Sequence, residues 1–231
     1  MFKGQYTLMD IEGTTTSVAF VYDTLFPYFK NRIHDFLRNR ASLLSVAEPL
    51  RLAQNTIYEE VGVVVSLEEL ADQLVAWTDS DRKHPALKAI QGVVWRAGYE
   101  NGTLKGHVYE DVSPALTRWK ALGMQLGIYS SGSVEAQQLL FKYSLYGDLT
   151  PCFSNYFDTG VGPKRAAESY QNIAESLQLL PDAILFLSDI VEELDAAATA
   201  GMRTTQIVRP GTTASSRHQV AADFTAIALF S

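Results

Sequence analysis

Apolar and polar positions follow two regimes along this chain. Between residues 20 and 100 the apolar residues recur every three or four positions, as on helix faces. Leu25, Phe29, Ile33, Phe36 and Leu37 predict a helix over 21–40. Ser66-Leu67-Glu68-Glu69 has the form of a capping box, and Leu67, Leu70, Ala71, Leu74 and Val75 continue it as a helical stripe. Residues 79–82 break that stripe, and 86–98 reads as helical again. Only 61–65 has the look of a strand in this stretch.

Outside it, short apolar runs alternate with helical patterns. Strands are predicted at 5–9, 124–129, 155–157, 183–187, 204–208 and 224–229. Helices are predicted at 112–122, 134–143, 165–177 and 191–200. Pro114 falls in the first turn of the 112–122 helix, and Gly123 follows it. Strands apolar on both faces, alternating with helices, predict an α/β fold with a parallel sheet under helices. The strand at 5–9 needs that sheet for its partners. The helical stretch is therefore an insertion after the first strand, because the 120 positions from Asp10 to Ser130 are too many for a simple strand–helix–strand crossover.

Composition narrows the function classes. The 231 residues are 47% apolar and 19% charged, with a formal net charge of −7. An acidic protein lacks the positive field that nucleic acids or anionic membranes require, so neither is expected as a partner. A small anionic substrate held by a few local donors remains open. The one cysteine, Cys152, rules out an intrachain disulfide and fits a reducing, cytoplasmic location. His34, His84, His107 and His218 are scattered, so no zinc site is expected. No apolar run reaches the ~18 residues of a membrane span, and the first residues lack the apolar stretch of a secretory signal.

Ligands of open parallel sheets bind beyond the carboxyl ends of the strands. Asp10, Glu12 and Thr14 follow the first predicted strand. Ser130, Ser131, Gly132 and Ser133 follow the second. Lys164 lies beyond the short third strand, and Asp189, with Glu192 and Glu193, follows the fourth. Each alone also reads as a turn, a helix cap or a solvated face. Together they supply what phosphoryl transfer needs: a carboxylate nucleophile (Asp10), oxygen ligands for Mg²⁺, hydroxyls and N–H groups for a phosphate, and a compact cation. Glu12 is placed to protonate the leaving oxygen and then activate water.

The order Asp10-x-Glu12-x-Thr14, Ser130, Lys164, Asp189 resembles the haloacid dehalogenase-like superfamily, which usually has Asp where Glu12 stands. DIEGTTTSVAFVYDTLFPY and IYSSGSVEAQQLLF are more specific and resemble the enolase-phosphatases of methionine salvage. DRKHPALKAIQGVVWRAGY, LKGHVYEDV, FDTGVGPKRAAESY, ILFLSDIVEELDAA and IVRPG extend the likeness over nearly the whole chain.

The resemblance implies a Rossmann-like core of residues 1–16 and 109–231 and an all-helical cap of residues 17–108. The cap would exclude water, with hinges near 13–17 and 106–111. Asp10 would be nucleophile and metal ligand, and Glu12 would serve the metal site and acid/base chemistry. Thr14, Ser130, Ser131, Gly132 and Lys164 would hold the phosphate. Asp189 would ligate one Mg²⁺ per chain, and Glu193 would be a second acid. The implied substrate is 2,3-diketo-5-methylthiopentyl-1-phosphate, enolised and then dephosphorylated to the acireductone by a monomer. Glu12, Lys105 and His107 are candidates for the enolisation base. Trp95 and Tyr99, four apart on one helix, read as packing residues or as substrate contacts. A general phosphatase or phosphomutase without an enolase step, and a phosphoacceptor module that does not turn over, are the competing readings.

Overall fold

The structure, a computed structural model, describes residues 2–230. In chain order, β1 (Phe2–Lys3) and β2 (Tyr6–Met9) come first. They are followed by α1 (Val18–Phe20), a π turn at Val21–Leu25, α2 (Phe26–Lys30), α3 (Ile33–Arg40), α4 (Leu44–Val61), α5 (Leu67–Asp79) and α6 (Pro85–Glu100). Next come α7 (Val112–Ala121), β3 (Gln125–Tyr129), α8 (Val134–Lys142), β4 (Asn155–Phe157) and α9 (Ala167–Leu177). The chain ends with β5 (Ile184–Ser188), α10 (Val191–Thr199), β6 (Arg203–Ile207), β7 (Gln219–Ala221) and β8 (Leu229–Phe230). Two compact units form, one from residues 1–18 with 105–231 and one from residues 19–104.

The second unit is helical. The single helix expected over 21–40 is in pieces, and Pro27 accounts for the π turn that precedes α2. Proline has no N–H to continue the ladder, and just before it the Phe26 N–H reaches back five residues to the Val21 carbonyl. The strand expected at 61–65 is absent. Val61 ends α4, Gly62 closes it in the left-handed conformation (φ 72), and Val63 and Val64 are exposed. The capping box of α5 forms in full, with Ser66 and Glu69 each accepting the other's N–H.

The first unit holds a parallel sheet of order β4-β3-β2-β5-β6-β7. All five residues of β5 are buried, as its continuous apolar run requires. Tyr6, Leu8 and Phe186 pack in one cluster with Ile173 of α9 and Leu194 of α10. Trp119 of α7 is fully buried and stacks on Phe224 at 5.3 Å. Fully burying side chains of this size stabilises by roughly 1.5–3 kcal/mol each.

The sheet's last strand, β7, lies outside every predicted strand. Its three residues, of which Gln219 and Val220 are exposed, are too few to show a period. The strand expected at 224–229 is instead a 3₁₀ turn at Phe224–Ala226, and β8 pairs with β1 in a separate small sheet. Residues 105–108, counted with the insertion from sequence, fall in the sheet-bearing unit. Gly106 exchanges backbone bonds with Tyr143 and Leu145 (2.8 and 2.9 Å), and the Ser17 N–H donates to His107 Nδ1 (3.1 Å).

Successive strands run outward from β2 through β3 to β4. The chain then returns to the other side of β2 for β5 and runs outward again through β6 to β7. The sheet therefore reverses direction between β2 and β5, and the crevice at such a reversal is where doubly wound sheets hold ligands.

Candidate active site

Asp10 leaves the end of β2 and Asp189 leaves the end of β5, so the two carboxylates flank this crevice. The Asp10 N–H donates to the Leu187 carbonyl (2.9 Å), which continues the ladder one step past the strand. The chain then turns tightly: the N–H groups of Thr14, Thr15 and Thr16 all donate to the Ile11 carbonyl (2.9–3.2 Å). Gly13 makes the turn with φ 76, and a Cβ there would collide with the Asp189 carboxylate. Glycine is needed twice over, for its backbone angle and for room beside a carboxylate. Thr14 binds Asp189 from both ends, its Oγ1 accepting the Asp189 N–H (3.0 Å) and donating to Oδ1 (3.3 Å).

Lys164 lies at the centre of the charge. Its Nζ is 2.5 Å from Asp10 Oδ1 and 2.7 Å from Glu193 Oε2, and its side chain is only 10% exposed. Three hydroxyls hold the backbone that delivers it. Tyr129 donates to the Gly162 carbonyl, Ser169 to that of Pro163 and Tyr170 to that of Lys164, each at 2.8 Å. Ser188 Oγ donates to Glu193 Oε2 (3.0 Å).

Burial alone would lower the pKa of the Lys164 ammonium, but the Asp10 and Glu193 carboxylates outweigh it and hold the group above the usual lysine value. Burial, then the charge of Asp10, pushes Glu193 upward, and Lys164 pulls it back in part. Burial and then Asp10 push Asp189 up to about 6.

The loop after β3 forms the third wall. Ser130 is 3% exposed, and its Oγ accepts the Gly132 N–H (3.2 Å). Gln137 donates to the carbonyls of Gly132 and Phe157 (2.8 and 2.9 Å), which pins this loop to the end of β4. Ser131 and Gly132 stay partly exposed ahead of α8, where N–H groups favour an anion. Glu12 is half-buried two residues past Asp10.

The other sequence candidates have these surroundings. Lys105 is exposed. His107 is tied to the 16–17 turn, accepting the Ser17 N–H while its carbonyl accepts the Thr16 hydroxyl (2.6 Å). Burial, then Arg209, keeps its pKa low. Trp95 and Tyr99 belong to the helical unit, where the Trp95 N–H donates to the Leu25 carbonyl (2.9 Å) and Tyr99 is buried.

The donor set suits a small hard cation. It consists of oxygens, and Asp189 carries a pKa raised in part by an Asp10 charge that Lys164 does not cancel. Among the described residues no group of three or more His, Cys, Asp and Glu side chains gathers as a metal cage. A cation held by two carboxylates would complete its shell with backbone oxygen and water, as Mg²⁺ commonly does.

The raised Asp189 value has a consequence for stability. Its folded pKa, about 6, exceeds its unfolded value, so between about pH 4 and pH 6 the folded chain binds the extra proton. The cation-free protein should gain stability as pH falls through that window. The difference in melting temperature between wild type and Asp189→Asn should accordingly narrow from about pH 7.5 to about pH 5. An unchanging difference would mean that Asp189 titrates as it does in the unfolded chain.

The family pattern of haloacid dehalogenase-like hydrolases matches residues 7–201. The chain belongs to that family. Two of its relatives are called enolase-phosphatase E1. The one from Picosynechococcus sp. is 53% identical over 223 residues, spanning 96% of this chain and 97% of the relative. The one from Sorangium cellulosum is 55% identical, spanning 96% of both. The crystal structure of the UTR4 protein from Saccharomyces cerevisiae superimposes with a TM-score of 0.79 at 34% identity, over 97% of this chain and all of that one. Among the described residues no helix is long and apolar enough to cross a membrane.

Sequence reasoning missed the groups that hold the site in place. Tyr129, Ser169 and Tyr170 set the Lys164 backbone, Gln137 sets the Ser130 loop, and Gln206 and Arg209 at the end of β6 hold the Asp189 and Thr14 loops. Arg209 carried a signal, since it follows a predicted strand at the same rim as the other four positions.

Proposed function

We propose that this member of the family is a Mg²⁺-dependent enolase-phosphatase acting on 2,3-diketo-5-methylthiopentyl-1-phosphate in methionine salvage. The observation that carries the reading is Lys164, buried against Asp10 at the reversal of the sheet, with Asp189 facing it. Relatives at 53–55% identity bear the name of that activity.

Asp10 and Asp189 would hold one Mg²⁺ per chain, which when bound polarises the substrate carbonyl and offsets phosphate charge. Glu12 removes the proton beside the carbonyl in the first step and keeps it, while solvent protonates the carbonyl oxygen to give the enol; His107 Nδ1 is already occupied by the Ser17 N–H. In the second step Asp10 attacks phosphorus in line and takes the phosphoryl group as an acyl phosphate, while Glu12 gives a proton to the departing enol oxygen. Glu12 then takes a proton from water, which attacks phosphorus and returns Asp10 as a carboxylate. Ser130, Ser131 and Gly132 hold the phosphate oxygens, the Gly132 N–H turning to them from Ser130 Oγ, and Lys164 neutralises charge that grows on them. Thr14 keeps Asp189 aimed. Acting as a monomer in a reducing cytoplasm is consistent with one unpaired cysteine.

The test follows enol absorbance and phosphate together after mixing enzyme with the diketone phosphate. The enol should rise before phosphate appears, and omission of Mg²⁺ should stop release. Phosphate released with no detectable or trappable enol would leave a plain phosphatase.

A further inference from the structure

Arg209, just past β6, is 7% exposed; it holds the Thr14 loop, and no step of the reaction described so far involves it. Its guanidinium makes two kinds of paired contact. Nη1 and Nη2 donate to the two carboxylate oxygens of Asp111 (2.8 and 2.9 Å), and Nε and Nη2 donate to the carbonyl of Thr14 (3.2 and 3.0 Å). Its Cζ lies over the Tyr109 ring, 4.0 Å from the ring centre, and 5.6 Å from that of Phe224. Asp111 is held in turn by the Phe224 N–H (2.9 Å). Charge balance explains the Asp111 pairing, since a buried cation needs a partner. It does not explain why two N–H groups also converge on one backbone carbonyl.

That carbonyl belongs to the residue whose hydroxyl grips Asp189 at two points. A chain of contacts therefore runs Asp111–Arg209–Thr14–Asp189. It begins on buried, stacked groups and ends on a carboxylate of the reaction crevice. The planar fork of arginine is suited to this task and lysine is not, because a single ammonium cannot serve a carboxylate and a carbonyl in one fixed plane.

We propose that Arg209 is a positioning residue of the phosphatase site: by fixing the Thr14 carbonyl it orients the Thr14 hydroxyl and, through it, the Asp189 carboxylate for the cation. The inference rests on the functional reading above. Mg²⁺ requires short, near-octahedral ligand geometry, so a small drift of Asp189 costs affinity. Outer partners of metal ligands typically matter by 10- to 100-fold in metal affinity.

The experiment is a calorimetric titration of the full chain with Mg²⁺ alone, for wild type, Arg209→Lys, Thr14→Val and the double variant. Arg209→Lys should raise the Mg²⁺ Kd about tenfold, and its kcat should recover as Mg²⁺ is raised. In the Thr14→Val background the same change should add less than about twofold, because the relay is already cut. A wild-type Kd in Arg209→Lys, or an equal effect in both backgrounds, overturns the inference. Failure of the unaltered protein to bind Mg²⁺ overturns the functional reading instead. Should Arg209→Lys not fold, by its melting temperature, Asp111→Asn carries the test. It keeps the guanidinium and frees its position, so Kd should rise in the same direction, and an unaltered Kd counts against the relay.

Discussion

Asp10→Asn should end phosphate release, with turnover lowered by on the order of 10⁴-fold or more. The change is nearly isosteric and sits at a position that is 4% exposed, so packing is kept. What is lost is chemical. An amide is a poor nucleophile toward phosphorus and a poor ligand for a hard cation. Lys164 keeps Glu193 as a partner, so the buried ammonium is not abandoned. Lys164 loses the carboxylate that does most to keep it charged, while Asp189 and Glu193 lose a negative neighbour, so the effects on stability oppose one another. Phosphate release, melting temperature and binding of the substrate to the inactive variant separate these effects. Turnover within about a hundredfold of wild type, in a folded variant, would remove Asp10 as nucleophile.

Part of this site was legible because one geometric rule made it so. Parallel strands end on one rim, so polar residues after apolar runs at 5–9, 124–129 and 183–187 point to Asp10, Ser130 and Asp189 from the sequence. Lys164 was legible for the same reason. Its supports were not, because Tyr129, Ser169 and Tyr170 are recognised only by which carbonyls their hydroxyls reach. Glu193 could be placed four residues past Asp189, but its contact with Lys164 is a tertiary fact.

The fold errors have local causes. Valine-rich 61–65 looks like a strand by propensity, yet Gly62 ends a helix there and no strand of the described helical unit offers it a partner. Helical spacing over 21–40 conceals the missing N–H of Pro27, which shifts the ladder without shifting the apolar face. β7 is too short for any period to register. Periodicity thus locates burial well and backbone bonding poorly.

Lys164→Ala should damage catalysis and stability together, with a different pH signature for each. In the proposed reaction it removes the cation assigned to the phosphate, so kcat should fall by roughly 10²–10³-fold and KM should rise. In the free protein it leaves Asp10 and Glu193 buried with no cation between them. Removing one member of a buried pair commonly costs ~3–5 kcal/mol. Burial and Asp10 already raise the Glu193 pKa, and without Lys164 it rises further, so Glu193 escapes the cost by taking a proton. The stability loss should therefore be larger at about pH 8 than at about pH 6, because the folded variant binds a proton that the unfolded chain releases. The catalytic loss should persist at both, since protonating Glu193 does not restore a positive charge beside the phosphate. Denaturant melts and steady-state kinetics at the two pH values make the separation. An unchanged kcat/KM would place Lys164 outside the reaction, and a stability loss independent of pH would mean that Glu193 stays ionised without it.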